Sequence, residues 1–420
     1  MLKGGAIYGG TEILRKVSPF LLLPFFINYL SIDSFGKLEF VTVISTLFSF
    51  LIGWGSSQGL LRFYVEDKIK YTTATLQLII IIFISLLSFG VLCSSLFNNF
   101  WDKIGVESFE VYLLCLMFGF VLSFNNIAFT ILRIEERILK FAVLNLITVT
   151  FQVILVLFCL TFFKLDYLSK VYGLVIANLL LSVVLYKNII SKSLSFDFSF
   201  NHFNTMLSFY SPIALTNLLG WGKNSVDRVV IKLVLGDEAL GLYAVTIQFI
   251  QIFKLGCESF LKYFNVIAYK NEEFINSIKK HRFTVSLGVS GLAAIYGFLV
   301  ILVNDYIAGV EYQLSMNLFL VLLFSRVLLL VNYIETILFY AKLQSKIVMV
   351  INIISFSILL ILIYPFTVYY GLLGTAISVL CSAALGFILL TYKNVRVISI
   401  PVFLLILTPL PIIMLYVFTI

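Results

Sequence analysis

The sequence predicts an all-α, polytopic membrane protein, and three observations carry that prediction. Of the 420 residues, 61% are hydrophobic and 12% charged, with a mean hydropathy of +1.07. Soluble globular domains hold about 45–50% apolar and about 25% charged residues. At least twelve apolar windows of about 20 residues, the length that crosses a bilayer core, can be cut from the chain with short connections between them. These windows are continuous, whereas barrel strands give alternating segments of about 10 residues. The third observation is a repeat, set out below.

Cutting at charge clusters and turn residues gives spans near 10–30, 38–60, 73–98, 109–131, 140–163 and 168–187. A second set follows near 205–234, 241–266, 283–304, 314–337, 346–366 and 370–391, and a last span at 398–419. Thirteen spans are therefore expected, with twelve as the alternative if 398–419 is interfacial or re-entrant. Lys and Arg of short loops collect on the cytoplasmic side of a membrane. With the N-terminus inside, the inner loops hold Arg62, Lys68, Lys70, Arg133, Arg137 and most later cations, and the outer loops little beyond Lys37, Lys103 and Lys164. The first apolar run contains Glu12, Arg15 and Lys16 and leads into further spans, so a cleavable signal peptide is not expected.

Residues 30–36 (LSIDSFG) resemble 235–241 (LGDEALG), 143–147 (VLNLI) resemble 350–354 (VINII), and 186–188 (YKN) recur at 392–394. The separations are 205, 207 and 206 residues, each joining equivalent places in the two six-span sets. Six is even, so both halves keep one orientation and the repeat is parallel, about an axis along the membrane normal. The expected organisation is a six-helix lobe over 1–190, a cytoplasmic linker over 191–204, a second lobe over 205–395 and an additional span within 396–420. The linker alternates polar residues with Phe (KSLSFDFSFNHFN, 192–204) and reads as a membrane-surface segment.

Catalysis finds little support. The two histidines, His202 and His281, fall in inner loops, there is no HExxH or GxxxxGK[ST], and the outer connections are short. The five cysteines are scattered without a CxxC pair and read as small core residues. No catalytic residue, cofactor or metal is expected. The net charge of +8 lies mostly in the loops of one side, which suits membrane lipids and gives no case for nucleic acid.

Ions inside the spans are more informative, because each costs roughly 2.5–3.5 kcal/mol at the bilayer centre. The first span carries Glu12, Arg15 and Lys16 on one helical face, followed by Pro19 and Pro24. The seventh carries Pro212, Gly220, Gly222, Lys223, Asp227, Arg228 and Lys232; the eighth Lys254, Glu258 and Lys262; the tenth Arg326, Asn332 and Glu335. Two readings stay open. The charges face a polar cavity, or they form structural pairs, with Glu12 on Arg15, Glu335 on Arg326, and Asp227 on Arg228 or Lys223 where the seventh helix has already left the membrane. Cations outnumber anions on these helices, which favours an anionic ligand. The candidate ligand-binding cations are Arg15, Lys223, Arg228, Lys254 and Arg326, with Glu12, Asp227 and Glu335 as pairing or coupling acids.

The runs Asp227–Ile231 (DRVVI) and Leu235–Val245 (LGDEALGLYAV) resemble the second-lobe signature of the polysaccharide flippases. These are the Wzx-type translocases of the multidrug/oligosaccharidyl-lipid/polysaccharide (MOP) exporter superfamily, which also holds the MATE transporters. Leu30–Leu61, with Gly36, Gly53, Gly55 and Gly59 before Arg62-Phe63-Tyr64, is similar to the first-lobe counterpart, and Gly371–Ala376 (GLLGTA) to the turn into the twelfth helix. The likeness covers about residues 1–395. It implies two six-helix lobes around a central cavity. It also implies alternating access that moves an undecaprenyl-diphosphate-linked oligosaccharide to the periplasmic leaflet of the bacterial cytoplasmic membrane. Such units feed O-antigen or capsule assembly, with the polysaccharide polymerase machinery as a partner. The five candidate cations fit the type of a cation-lined cavity without matching an invariant motif. A MATE-like drug/cation antiporter would call for an acidic cavity, and a membrane glycosyltransferase or polymerase for a long acidic outer loop.

Overall fold

In a bilayer every backbone polar group of a span must be satisfied within the protein, and the chain answers with helices. The computed structural model describes residues 10, 20, 22–97, 100–103, 105–193, 200–268, 272–307, 315–341 and 344–395, and no strand occurs among them. In chain order the helices are α1 (Leu23–Tyr29), α2 (Ile32–Gly53), α3 (Ser56–Phe63), α4 (Lys68–Leu96), α5 (Phe100–Lys103), α6 (Phe109–Ile134), α7 (Ile138–Thr161) and α8 (Leu168–Asn188). A 3₁₀ turn (Ile190–Ser193) precedes α9 (Phe200–Leu235), α10 (Asp237–Ala268), α11 (Glu272–Ile307), α12 (Met316–Ala341) and α13 (Ser345–Val395). Nine candidate membrane spans fall among the described residues. They follow the expected second to sixth and eighth to twelfth spans, the last two merged in α13, while Glu12, Arg15, Pro19 and the span at 398–419 lie outside the described residues.

Start signals in the sequence explain several helix ends. Ser31, Asp67 and Ser108 each accept a backbone N–H three residues on, at 3.2, 3.1 and 3.3 Å, which caps α2, α4 and α6. Trp54 (φ 38) and Gly55 (φ 72) are both left-handed, and this pair separates α2 from α3.

The chain divides into two compact units, Met1–Leu233 and Val234–Ile420. In the first, α6 packs against α2, α4, α7 and α8, and 61% of its span window is buried. In the second, α12 packs against α10, α11 and α13, with 78% buried. These are the most buried span of each unit, and they are the fourth and tenth spans, which occupy equivalent positions in the two sets. Within α13, Gly371 (φ 60, ψ −141) breaks the helical path, and a Cβ on Gly374 would collide with the carbonyl of Phe366. Only glycine fits both the backbone and the space, so the expected boundary between 346–366 and 370–391 is a glycine-built reversal. Thr367 and Thr375 join its arms through their hydroxyls at 2.8 Å.

The first unit has polar ends of two kinds. At one, Lys37 pairs with Asp33 and Glu107, both at 3.2 Å, Ser34 donates to Asp166 at 2.8 Å, and Tyr167 donates to Glu107. At the other, Glu135 receives Lys68 at 2.8 Å, Tyr64 at 2.8 Å and Arg137 at 2.9 Å. Burial pushes the Glu135 carboxyl up, but the hydrogen bonds from Lys68 and Tyr64 and the charges of Lys68 and Arg137 outweigh it and hold the group below its ordinary 4.5.

Candidate functional site

The candidate site in the first unit is built on α9. Its 36 residues form one helix through Pro212, about 54 Å long at 1.5 Å per residue against a hydrocarbon core of about 30 Å. The proline expected to interrupt this span does not end it. Lys223, Asp227, Arg228 and Lys232 all stand on this one continuous helix.

The seat of α9 is set by glycines and hydrogen-bonding aromatics on α2, α3 and α4. A Cβ on Gly59 would stand inside the Tyr210 ring, and one on Gly55 would lie 2.9 Å from the Tyr210 carbonyl oxygen. The Tyr210 hydroxyl meets that of Thr75 at 3.1 Å. Further along, Trp54 Nε1 donates to Ser211 at 3.2 Å and Trp221 Nε1 donates to Thr46 at 3.3 Å. Contacts that climb α9 therefore descend α3 and α2, so the helices run antiparallel, and the next step of this register places Arg228 opposite Glu39.

There Arg228 Nε lies 3.0 Å from Glu39 Oε1, with side-chain exposures of 8% and 12%. The approach is close but lacks hydrogen-bond alignment at Nε, so the contact is ionic in character. Arg228 Nη1 also donates to the carbonyl of Asn224 at 3.3 Å. Asp227 is buried, and its Oδ1 accepts the Arg228 backbone N–H at 2.9 Å. One turn on, Lys232 rests over the Phe40 ring at 5.8 Å. On α8, Lys170 is also buried, with its ammonium 5.7 Å from the centre of the Phe26 ring.

Two members of this group were not marked by sequence. Glu39 and Lys170 lie one and two residues inside the ends of their expected spans, where a charge reads as part of a loop. A charge that enters an apolar window with no helix-breaking residue between was the available signal.

The remaining candidates sit as follows. Lys223 is half-buried on α9, one turn before Asp227, and Lys254 is half-buried on α10. In the second unit Arg326 and Glu335 are both buried on α12. They are nine residues apart on one helix, about 13 Å along the axis and half a turn round it, so a direct bond between them is ruled out. Near them Asn332 donates to the carbonyl of Ala383 at 3.2 Å. Among the described residues no three His, Cys, Asp or Glu side chains gather as a metal site.

Comparison with known proteins gives the chain its relatives. Residues 29–260, more than half of the chain, match the family described as polysaccharide biosynthesis protein. "Lsg locus putative protein 1" of Haemophilus influenzae is 20% identical over 268 residues, covering 62% of this chain and 64% of that one. The chain thus spans about three fifths of the length of the curated relatives it matches. A structure described as the lipid II flippase MurJ, inward closed conformation, superposes with a TM-score of 0.75 at 16% identity, covering 100% of this chain and 93% of that one. An inward-facing multidrug resistance MATE family transporter of the MOP superfamily gives 0.67 at 14%, covering 91% and 94%. The chain is a multi-pass membrane protein that belongs to the polysaccharide biosynthesis protein family and has the fold shared by MurJ and the MATE transporters of the MOP superfamily.

Proposed function

We propose that this protein is a flippase. It carries an undecaprenyl-diphosphate-linked oligosaccharide from the cytoplasmic to the periplasmic leaflet of the bacterial cytoplasmic membrane by alternating access, and so supplies O-antigen or capsule assembly. The family and the fold support the class. The observation that carries the anionic character of the cargo is Arg228, a buried guanidinium on a long helix, held by an ionic contact. A guanidinium is always charged and matches phosphate or carboxylate oxygens with a rigid fork of donors.

In this reading the N-terminus is cytoplasmic. Residues 1–190 and 205–395 are the repeated lobes, 191–204 joins them, and 396–420 adds a further span. Arg15, Lys223, Arg228, Lys254 and Arg326 meet the diphosphate and any sugar acids at successive stages of transport. Glu12, Asp227 and Glu335 hold these cations or couple transport to an ion. The released unit passes to the polymerase machinery.

The test is deletion in the native host. The lipid-linked oligosaccharide is expected to accumulate in the inner leaflet while surface glycan is lost, and the wild-type gene restores both but the Arg228→Glu variant does not. Unchanged periplasmic glycan assembly after deletion sinks the proposal.

A further inference from the structure

Lys170 is the least explained charge in the first unit. It is 7% exposed, its ammonium lies 5.7 Å from the centre of the Phe26 ring, and among the described residues it has no carboxylate within ion-pair distance. Asp166, one turn earlier in the chain, gives its carboxylate to the Ser34 hydroxyl at 2.8 Å instead. A buried ammonium is costly unless it is paired and hydrogen-bonded, and an aromatic face offsets only part of that cost. The place of Lys170 in its helix adds to it. Lys170 is in the first turn of α8 (Leu168–Asn188), and a helix start favours anions, not cations. Tyr167, which opens α8, brings no side-chain oxygen to that turn. Helix side chains lean back towards the N-terminus, so the ammonium and the positive end of α8 act on one region. Two independent features of the same sign therefore converge there, and both fit an anion. The ring above the ammonium belongs to α1, a seven-residue helix with a proline in its first turn, whose packing partner is α2.

We propose that Lys170 binds the phosphate of a lipid, and that the Phe26 ring covers its ammonium until that phosphate takes the ring's place. Phosphate is the anion that suits both an ammonium and a helix N-terminus. A lipid is its source because Lys170 stands at the start of a span, the depth at which headgroups lie. Two lipids carry that chemistry, the diphosphate-linked cargo of the flippase reading and a phospholipid of the surrounding leaflet. The site itself does not depend on that reading; only its assignment to the cargo does. The proposal also fixes the sign of a stability effect. A lysine that waits for an anion destabilises the empty protein, whereas a structural lysine supports it.

The test uses the full chain purified in detergent, read by thermal unfolding and calorimetry. The probes are inorganic pyrophosphate and, separately, mixed micelles of phosphatidylglycerol, with diacylglycerol micelles as the phosphate-free control. Without a probe, Lys170→Met is expected to unfold a few degrees above the wild type, because a buried charge is gone. With the favoured probe it is expected to bind about tenfold or more weakly, while Lys170→Arg stays within a few-fold of the wild type. Phe26→Leu, which removes the competing ring, is expected to bind several-fold more tightly. Loss of pyrophosphate binding in Lys170→Met assigns the diphosphate of the cargo; loss confined to phosphatidylglycerol assigns the phospholipid. Affinity of Lys170→Met for both probes equal to that of the wild type overturns the proposal. So does a lower unfolding midpoint, or a failure to fold, since either makes the lysine structural. Both results leave the flippase reading, which rests on Arg228 and on deletion in the host, to stand or fall by its own test.

Discussion

Two ion-paired clusters flank the first unit, the Glu39–Arg228 contact towards one end of α2 and the Glu135 clasp at the far end of α6, and they differ in almost every physical respect. Glu135 is ringed by three donors from nearby turns, and Lys68 and Arg137 remain 41% and 48% exposed. Water and salt screen such pairs, which are worth about 0–1 kcal/mol each. Glu39 and Arg228 form an ion pair at 3.0 Å with little exposure, and removing either charge unbalances a site in a medium that punishes bare charge. The lesson is that an exposed cluster rich in bonds can be energetically minor while a buried ion pair is decisive, because burial, not bond number, sets the cost.

That contrast is open to measurement. Arg228→Ala carries the largest expected effect, about 3–5 kcal/mol of lost stability by the cost of leaving a buried charge uncompensated, read by thermal or denaturant unfolding in detergent. A cost below that of any Glu135 variant would reverse the comparison. Gly59→Val comes next. The Tyr210 ring fills the space a Cβ needs, so overpacking should cost about 1–3 kcal/mol and loosen the seat of α9, seen as faster proteolysis or deuterium uptake in 205–233.

Glu135→Gln should cost about 1 kcal/mol or less and be sensitive to salt, unlike Arg228→Ala. Because the folded protein holds the Glu135 carboxyl below 4.5, its contribution is complete above pH 4.5 and fades as the pH falls through the depressed value. Wild type and Glu135→Gln should therefore converge in stability at acid pH and separate above it. A gap that widens on acidification would contradict the assignment. Arg62→Ala is the smallest, within about 0.5 kcal/mol, since its 2.6 Å bond to Glu66 joins two exposed side chains.

Much of the fold was legible in the sequence because membrane spans announce themselves by length and apolarity. Each described span lies within a few residues of its expected position, and Gly371 falls where the reversal was expected. The site was legible in part. Asp227 and Arg228 stood out as charges without a loop, but the partner of Arg228 is 189 residues earlier, at the edge of another span, and no local pattern links them. The antiparallel register of α9 on α2, fixed by Tyr210, Trp54 and Trp221, is what brings Glu39 to Arg228. Arg326 and Glu335 show the reverse case, where closeness in sequence suggested a pair that helix geometry forbids.

The central claim, that a buried cation on α9 serves transport of an anionic lipid-linked glycan, is tested most directly in proteoliposomes. The purified chain is reconstituted with a polyprenyl-diphosphate-linked oligosaccharide in one leaflet, and its appearance in the other is followed with a membrane-impermeant glycan-modifying reagent. The account predicts transfer by the wild type and its loss in Arg228→Glu reconstituted to the same density. Transfer by Arg228→Glu at the wild-type rate, or none by the wild type, would contradict it.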